Sequence, residues 1–184
     1  AVRRTRAAAE HAARLAKADQ GAVLVAEFSE LSLKYQLLLK AYPWRRVDPV
    51  PFAPLGKPLS ACRVGLVTSA GLVAPGDEPF DASLRGGDPS FREIPGSIDV
   101  HSLTESHRSD AFDHSGLAAD RNLAFPLDRL RERLARGQLG SLAGTHYSFM
   151  GSLTAVGRFV RETAPEIARR LKAQNVEAAF LVPV

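Results

Sequence analysis

The sequence predicts an α/β fold, a mostly parallel sheet with covering helices, and three observations lead to it. Two short apolar runs, "VGLVT" at residues 64–68 and "AAFLVPV" at residues 178–184, lack polar alternation, as strands buried on both faces do. Strand and helix signals alternate from Pro58 onward, the order that gives a parallel sheet. The length, 184 residues, suits one sizeable domain of this kind.

Taken in order, residues 3–18 are Ala-rich with strong helix formers, and Gly21 interrupts them. A second helical stretch covers residues 28–42, with Leu31, Tyr35 and Leu38 on one stripe, and Pro43 ends it. Proline at 43, 49, 51, 54 and 58 then makes an extended strap. The N-terminal helical segment and strap, residues 1–57, thus precede an α/β region at residues 58–184, the two expected to belong to one domain overall. Within that region, residues 64–68 form a buried strand closed by the turn at Ser69–Gly71. A loop with three glycines and two prolines runs to Gly87. "GDPSFREIP", residues 87–95, reads as one helical turn: Asp88 caps, Pro89 takes the first position, and Ser90 and Glu93 have capping-box spacing. Residues 98–103 alternate and read as a strand. Pro126 opens a clear helix with Leu127, Leu130 and Leu134 on one face, Asp128 in its first turn and Gly137 past its end. Residues 139–152 read as loop. Residues 153–174 read as a helix broken or restarted at Pro165, with Leu153, Val156, Val160, Ile167 and Leu171 as its core face. The last strand follows, completing a Rossmann-like arrangement.

Composition narrows the function. The apolar fraction is 45% and the charged fraction 24%, the balance of an ordinary globular protein. The net charge is +4, and the basic residues are spread out; those at 129–136 alternate with Leu as a solvated helix face does. With no recognition motif beside them, nucleic-acid binding is not expected. The early apolar run at residues 22–26 is far short of the roughly 20 residues that span a membrane. One cysteine, Cys62, excludes a disulfide framework and suits a reducing cytoplasm; at a strand edge it reads as a small buried hydrophobe.

Three constellations could carry chemistry. "SHRSDAFDHSG" gathers His107, Asp110, Asp113 and His114, with Asp120 near. Imidazole and carboxylate at short spacing can bind a divalent metal or move protons, but the same residues equally make a polar surface loop with Asp caps. "GTHYSFMG", residues 144–151, offers His146 and Tyr147 as proton donors on a glycine-flanked loop, or else leads into a helix capped by Ser152. "TSAG", residues 68–71, is a strand-to-loop turn that could receive an anion, yet it lacks the glycine pattern of a nucleotide site.

In this order, "VGLVTSAGLV", "EPFD", "GDPSFREIP", "SHRSDAFDHSGLAADRNLAFPLDRLRE" and "GSLAGTHYSFMGS" resemble the selenoprotein B family of glycine, sarcosine, betaine and D-proline reductases. The resemblance covers residues 58–184. It implies an oxidoreductase that cleaves a C–N bond reductively, with dithiols as electron source through a thioredoxin-type donor. It further implies a small amine or amino-acid substrate, held as a Schiff base on a pyruvoyl group of a partner subunit. No cofactor is expected within this chain. In the family the strand similar to "AAFLVPV" is followed by a selenocysteine or cysteine. A selenocysteine is therefore expected after Val184, and the sheet is expected to be incomplete at the C-terminus, as reading of a selenocysteine codon as a stop would produce. On this resemblance the chain alone is expected to be inactive, and His107, Asp113, His114, His146 and Tyr147 become candidates for substrate positioning or leaving-group protonation. Two other readings stay open: a non-catalytic binding or scaffold domain, and a metal-dependent hydrolase using the His/Asp loop.

Overall fold

The computed structural model describes residues 28–42, 46–107 and 114–184. The chain divides into two compact units, Ala1–Phe52 and Ala53–Val184. In the first, a 3-10 turn at Phe28–Glu30 precedes helix α1 (Leu33–Ala41), which is rich in Leu, Lys and Gln, all good helix formers.

The second unit is the α/β domain. Its centre is β1 (Arg63–Thr68), buried on both faces as its unbroken apolar run requires. β7 (Ala178–Val182) pairs with it in parallel along one side. β5 (Ser141–Leu142) and β6 (Thr145–Phe149) pair with it in parallel along the other. β3 (Phe91–Pro95) closes that edge antiparallel to β6. A separate antiparallel pair joins β2 (Leu72–Val73) to β4 (Thr104–Glu105). The sheet is therefore mostly parallel and open, as expected.

One face is covered by α2 (His114–Ala119), α3 (Leu127–Ala135) and the turns before them, burying Leu66, Ile94, Leu103, Leu117, Phe125 and Leu127 in one core. The other is covered by α4 (Ala164–Ala173), whose Ile167 and Leu171 pack on Val67 and Tyr147. Gly65 permits this approach: a Cβ there would lie 2.6 Å from Leu171 Cδ2. Across the first face, Arg131 of α3 donates to the carbonyls of Gly96 and Ile98 and to Asp128.

Four local expectations are corrected. "GDPSFREIP" holds no helical turn; its second half is β3. Asp88 accepts the N–H groups of Asp81 and Ser90, so its capping oxygens serve a loop. The strand wins because it buries Ile94 and sets Phe91 edge-on against Tyr147 at 5.6 Å. Residues 98–103 contain a 3-10 turn, Val100–Ser102, because Asp99 takes the His101 N–H and turns the backbone. Residues 139–152 contain β5 and β6 rather than a loop. Gly140 is needed there because a Cβ would lie 2.7 Å from the Ala61 carbonyl carbon. The last long helix starts at Gly157, not Leu153, and changes from π to α winding at Ala164, beside the restart expected at Pro165. A π turn at Phe159–Thr163 leads into α4, where Pro165 occupies the first turn and has no N–H to leave unpaired. Val156 and Val160 are exposed and outside the core.

β7 pairs on one side only among the described strands. Phe180 faces the same side as Leu66 and Leu181 the same side as Val67, yet they remain 46% and 66% exposed. An apolar strand edge of this kind templates pairing with another chain. The 184-residue chain is expected to self-associate with rising concentration in sedimentation equilibrium, and Leu181→Lys to shift it toward monomer. Equal association of both proteins would show that the β7 edge is not the contact.

Candidate functional site

In an open α/β sheet, ligands meet the carboxyl ends of the strands. Here β1, β6 and β7 reach that edge together, and the turn at residues 68–71 joins them. The Thr68 hydroxyl accepts the Ala70 N–H at 3.1 Å and tightens the turn. The Ser69 N–H donates to the Val182 carbonyl at 3.1 Å, and the Ser69 carbonyl accepts the Gly151 N–H at 2.8 Å. The Gly71 N–H donates to Phe149, and its carbonyl accepts from Ser106, each at 2.9 Å.

Gly71 places His107. Its φ is +65°, and a Cβ there would lie 3.3 Å from the backbone N and Cα of His107. His107 is half-buried against this turn at the carboxyl edge. Burial pushes its imidazole below the ordinary value; Glu105 offsets this in part, and His114 adds to the lowering. His107 is therefore neutral near pH 7. His114 opens α2 and sets Nδ1 2.6 Å from Oε1 of Glu105. With Glu105 accepting as a carboxylate, Nδ1 is the donor of that bond. The structure thus brings His107 and His114 together around Glu105. Asp110 and Asp113 lie outside the described residues.

His146 and Tyr147 sit elsewhere, in β6, with side chains on opposite faces of the sheet. His146 is fully buried. Its Nδ1 accepts the Leu66 N–H at 3.1 Å, and its ring meets Phe125 edge-on at 6.0 Å. Burial, with Arg131 adding, pushes its pKa down to about 4. Tyr147 lies under α4, where its hydroxyl accepts from Gln174 Nε2 at 3.2 Å. Burial first, then Glu93, raises the pKa of that hydroxyl. Cys62 is fully buried just ahead of β1, at the amino end of the sheet. Among the described residues, no three His, Cys, Asp or Glu side chains converge as metal ligands. Nor is any described helix long and apolar enough to cross a membrane.

Sequence reasoning singled out the turn at residues 68–71 without assigning a role to the Ser69 side chain, and it missed Glu105. Glu105 lies two residues before His107 in "TESH", and that carboxylate–imidazole spacing was its available signal. Ser69 sits in the turn after β1, where the open end of a parallel strand was the signal.

Comparison with known proteins adds to this geometry. Residues 24–183 match the family model described as glycine/sarcosine/betaine reductase selenoprotein B. The D-proline reductase subunit gamma of Acetoanaerobium sticklandii is 37% identical over 136 residues, 73% of this chain and 54% of that protein. The glycine reductase complex component B subunit gamma of Symbiobacterium thermophilum is 29% identical over 164 residues, 89% of this chain and 38% of that protein. The sarcosine reductase complex component B subunit beta of Peptoclostridium acidaminophilum is 34% identical over 146 residues, 76% of this chain and 32% of that protein. The matched region thus spans about half of the first relative and under two fifths of the other two. No solved structure matches the chain significantly.

The His146 geometry makes stability pH-dependent. Its folded pKa lies below the ordinary value near 6.5, so the unfolded chain binds the proton first as pH falls. The contribution is fully present above pH 6.5 and is lost toward pH 4, on the order of 3 kcal/mol in all. His146→Asn keeps an acceptor for the Leu66 N–H and removes the titration. Urea unfolding between pH 7 and 4 is expected to show a shallower loss for the variant; parallel curves would refute the buried neutral imidazole.

Proposed function

The chain belongs to the glycine/sarcosine/betaine reductase selenoprotein B family, and from that premise we propose that it forms part of a subunit for dithiol-dependent reductive C–N cleavage. The substrate is a glycine derivative or D-proline, and the similarity to a D-proline reductase subunit makes ring opening the first reaction to assay. The observation that supports this reading is the carboxyl edge, where the paired Glu105 and His114, neutral His107 and the end of β7 share one side of the sheet.

In the overall reaction a C–N bond is replaced by a C–H bond. Two electrons come from a dithiol that becomes a disulfide, and the amine leaves with a proton. The edge fits the proton half of that chemistry: it offers two imidazoles and a carboxylate but no thiol, since Cys62 is buried near the opposite end. A selenocysteine after Val184 would supply a soft nucleophile ionised at neutral pH, where a thiol with a pKa of about 8.5 is mostly protonated, and a pyruvoyl group on a partner subunit would supply the electrophile that holds the amine. His114 hands a proton from Nε2 to the departing nitrogen, while Glu105 holds the ring and balances its charge. His107, packed on Gly71, walls the edge from water. The electron donor is a thioredoxin-type protein, and this chemistry suits the reducing cytoplasm.

The test assembles the complex with its partner subunits and assays glycine, sarcosine, betaine and D-proline with dithiothreitol. His114→Gln is expected to lower kcat by roughly 10²–10⁴-fold with little change in KM, and to remove the limb of the pH profile that reports a general acid. Cys62→Ala is expected to leave turnover unchanged. Full turnover in His114→Gln, or its loss in a folded Cys62→Ala protein, would move the chemistry away from this edge.

A further inference from the structure

The turn after β1 holds more of the carboxyl edge than its length suggests, and most of that is done by one residue. The Ser69 backbone binds β7 through the Val182 carbonyl and the loop after β6 through the Gly151 N–H. Its side chain adds a third attachment. Oγ accepts the Val184 N–H at 2.8 Å and lies 3.3 Å from the Val184 carbonyl oxygen, to which it can donate. Val184 is two residues past the end of β7 and after Pro183, so no ladder partner fixes it. A hydroxyl that accepts from the N–H of one residue and can donate to the carbonyl oxygen of the same residue sets where the chain heads as it leaves the sheet. The same turn, two residues on, receives His107 through Gly71.

We propose that Ser69 is a positioning residue for the reductase edge: its hydroxyl fixes the Val184 backbone, and so the course of the chain leaving β7, on the turn that seats His107. This rests on the reductase reading, because it gives the held backbone a purpose: a nucleophile carried on it must stand within about 1 Å of its working place. The hydroxyl touches neither substrate nor electrons, so its effect passes wholly through the Val184 peptide.

Ser69→Thr and Ser69→Val form the test pair, matched in shape and differing in the hydroxyl. Hydrogen exchange of the C-terminal peptide reads the bond directly in the 184-residue chain. Wild type and Ser69→Thr are expected to protect the Val184 amide, and Ser69→Val to speed its exchange roughly 3- to 10-fold, the loss of one hydrogen bond. In the assembled reductase, Ser69→Val is expected to lower kcat about 10- to 100-fold at nearly unchanged KM, with Ser69→Thr restoring it. A Val184 amide that exchanges equally fast in Ser69→Thr and Ser69→Val overturns the inference. So does an amide released in Ser69→Val while kcat stays at the wild-type value. A wild-type complex inactive on all four substrates counts against the reductase reading instead, and the exchange rates still decide whether Ser69 holds the chain.

Discussion

One hydrogen bond lets the central strand keep neighbours on both sides, and the rest of the domain depends on it. Between its paired residues Val64 and Val67, β1 has two residues. The strand beside it has four between Leu142 and Tyr147. This two-residue excess bulges the neighbour outward and leaves the Leu66 N–H facing no carbonyl in register. His146 Nδ1 takes that N–H instead. Without it, a fully buried donor would stand unpaired, at a cost of about 1–3 kcal/mol. With it, β6 returns to register, Tyr147 turns under α4, and β1, β6 and β7 end level with one another. An imidazole that closes a sheet in this way must stay neutral, and its depressed pKa follows from that position.

The elements legible in the sequence were those whose signal is their own burial. β1 and β7 are unbroken apolar runs, and α3 is bracketed by Pro126 and Gly137. The elements misread were those whose local signals pointed one way and tertiary contacts another. Ser90 and Glu93 have capping-box spacing, but the partner that decides is the β6 strand, far along the chain. The glycines flanking "THYSF" suggested a loop, whereas Gly140 and Gly144 lie at the edges of strands and Gly151 follows one. In the candidate site, His107 and His114 were visible because imidazole and carboxylate crowd that stretch. The roles of the Ser69 side chain and of Glu105 were not, since they come from contacts with Val184 and with the first turn of α2.

The loop between β2 and β3 shows how the edge is kept in place without regular structure. Arg92 donates to the carbonyls of Glu78, Pro79 and Phe91 and to Ser90 Oγ, and its guanidinium lies 4.2 Å over the Phe80 ring. Phe80 in turn donates its N–H to Ser106 Oγ, beside His107. Burial works to raise the pKa of the Asp88 carboxyl, but bonds from Asp81 and Ser90, and then Arg92, outweigh it and hold it low. At Gly87 a Cβ would lie 2.6 Å from the Ser152 carbonyl oxygen, and the Gly86 carbonyl accepts from Thr154 and Ala155. The loop therefore links β3, Ser106 and the segment after β6, three of the elements that frame the carboxyl edge.

The two histidines at that edge divide their work by environment. Burial against Gly71 keeps His107 neutral, and the nearby His114 adds to that, so the two rings do not readily carry charge together. Glu105 meets His114 directly and reaches His107 only as a weaker opposing influence. Two groups of the same chemistry whose surroundings push them apart are the usual basis for separate acid and neutral roles. His114, hydrogen-bonded to Glu105 at the mouth of α2, is then the ring placed to pass a proton in the proposed cleavage, and His107 is left to pack.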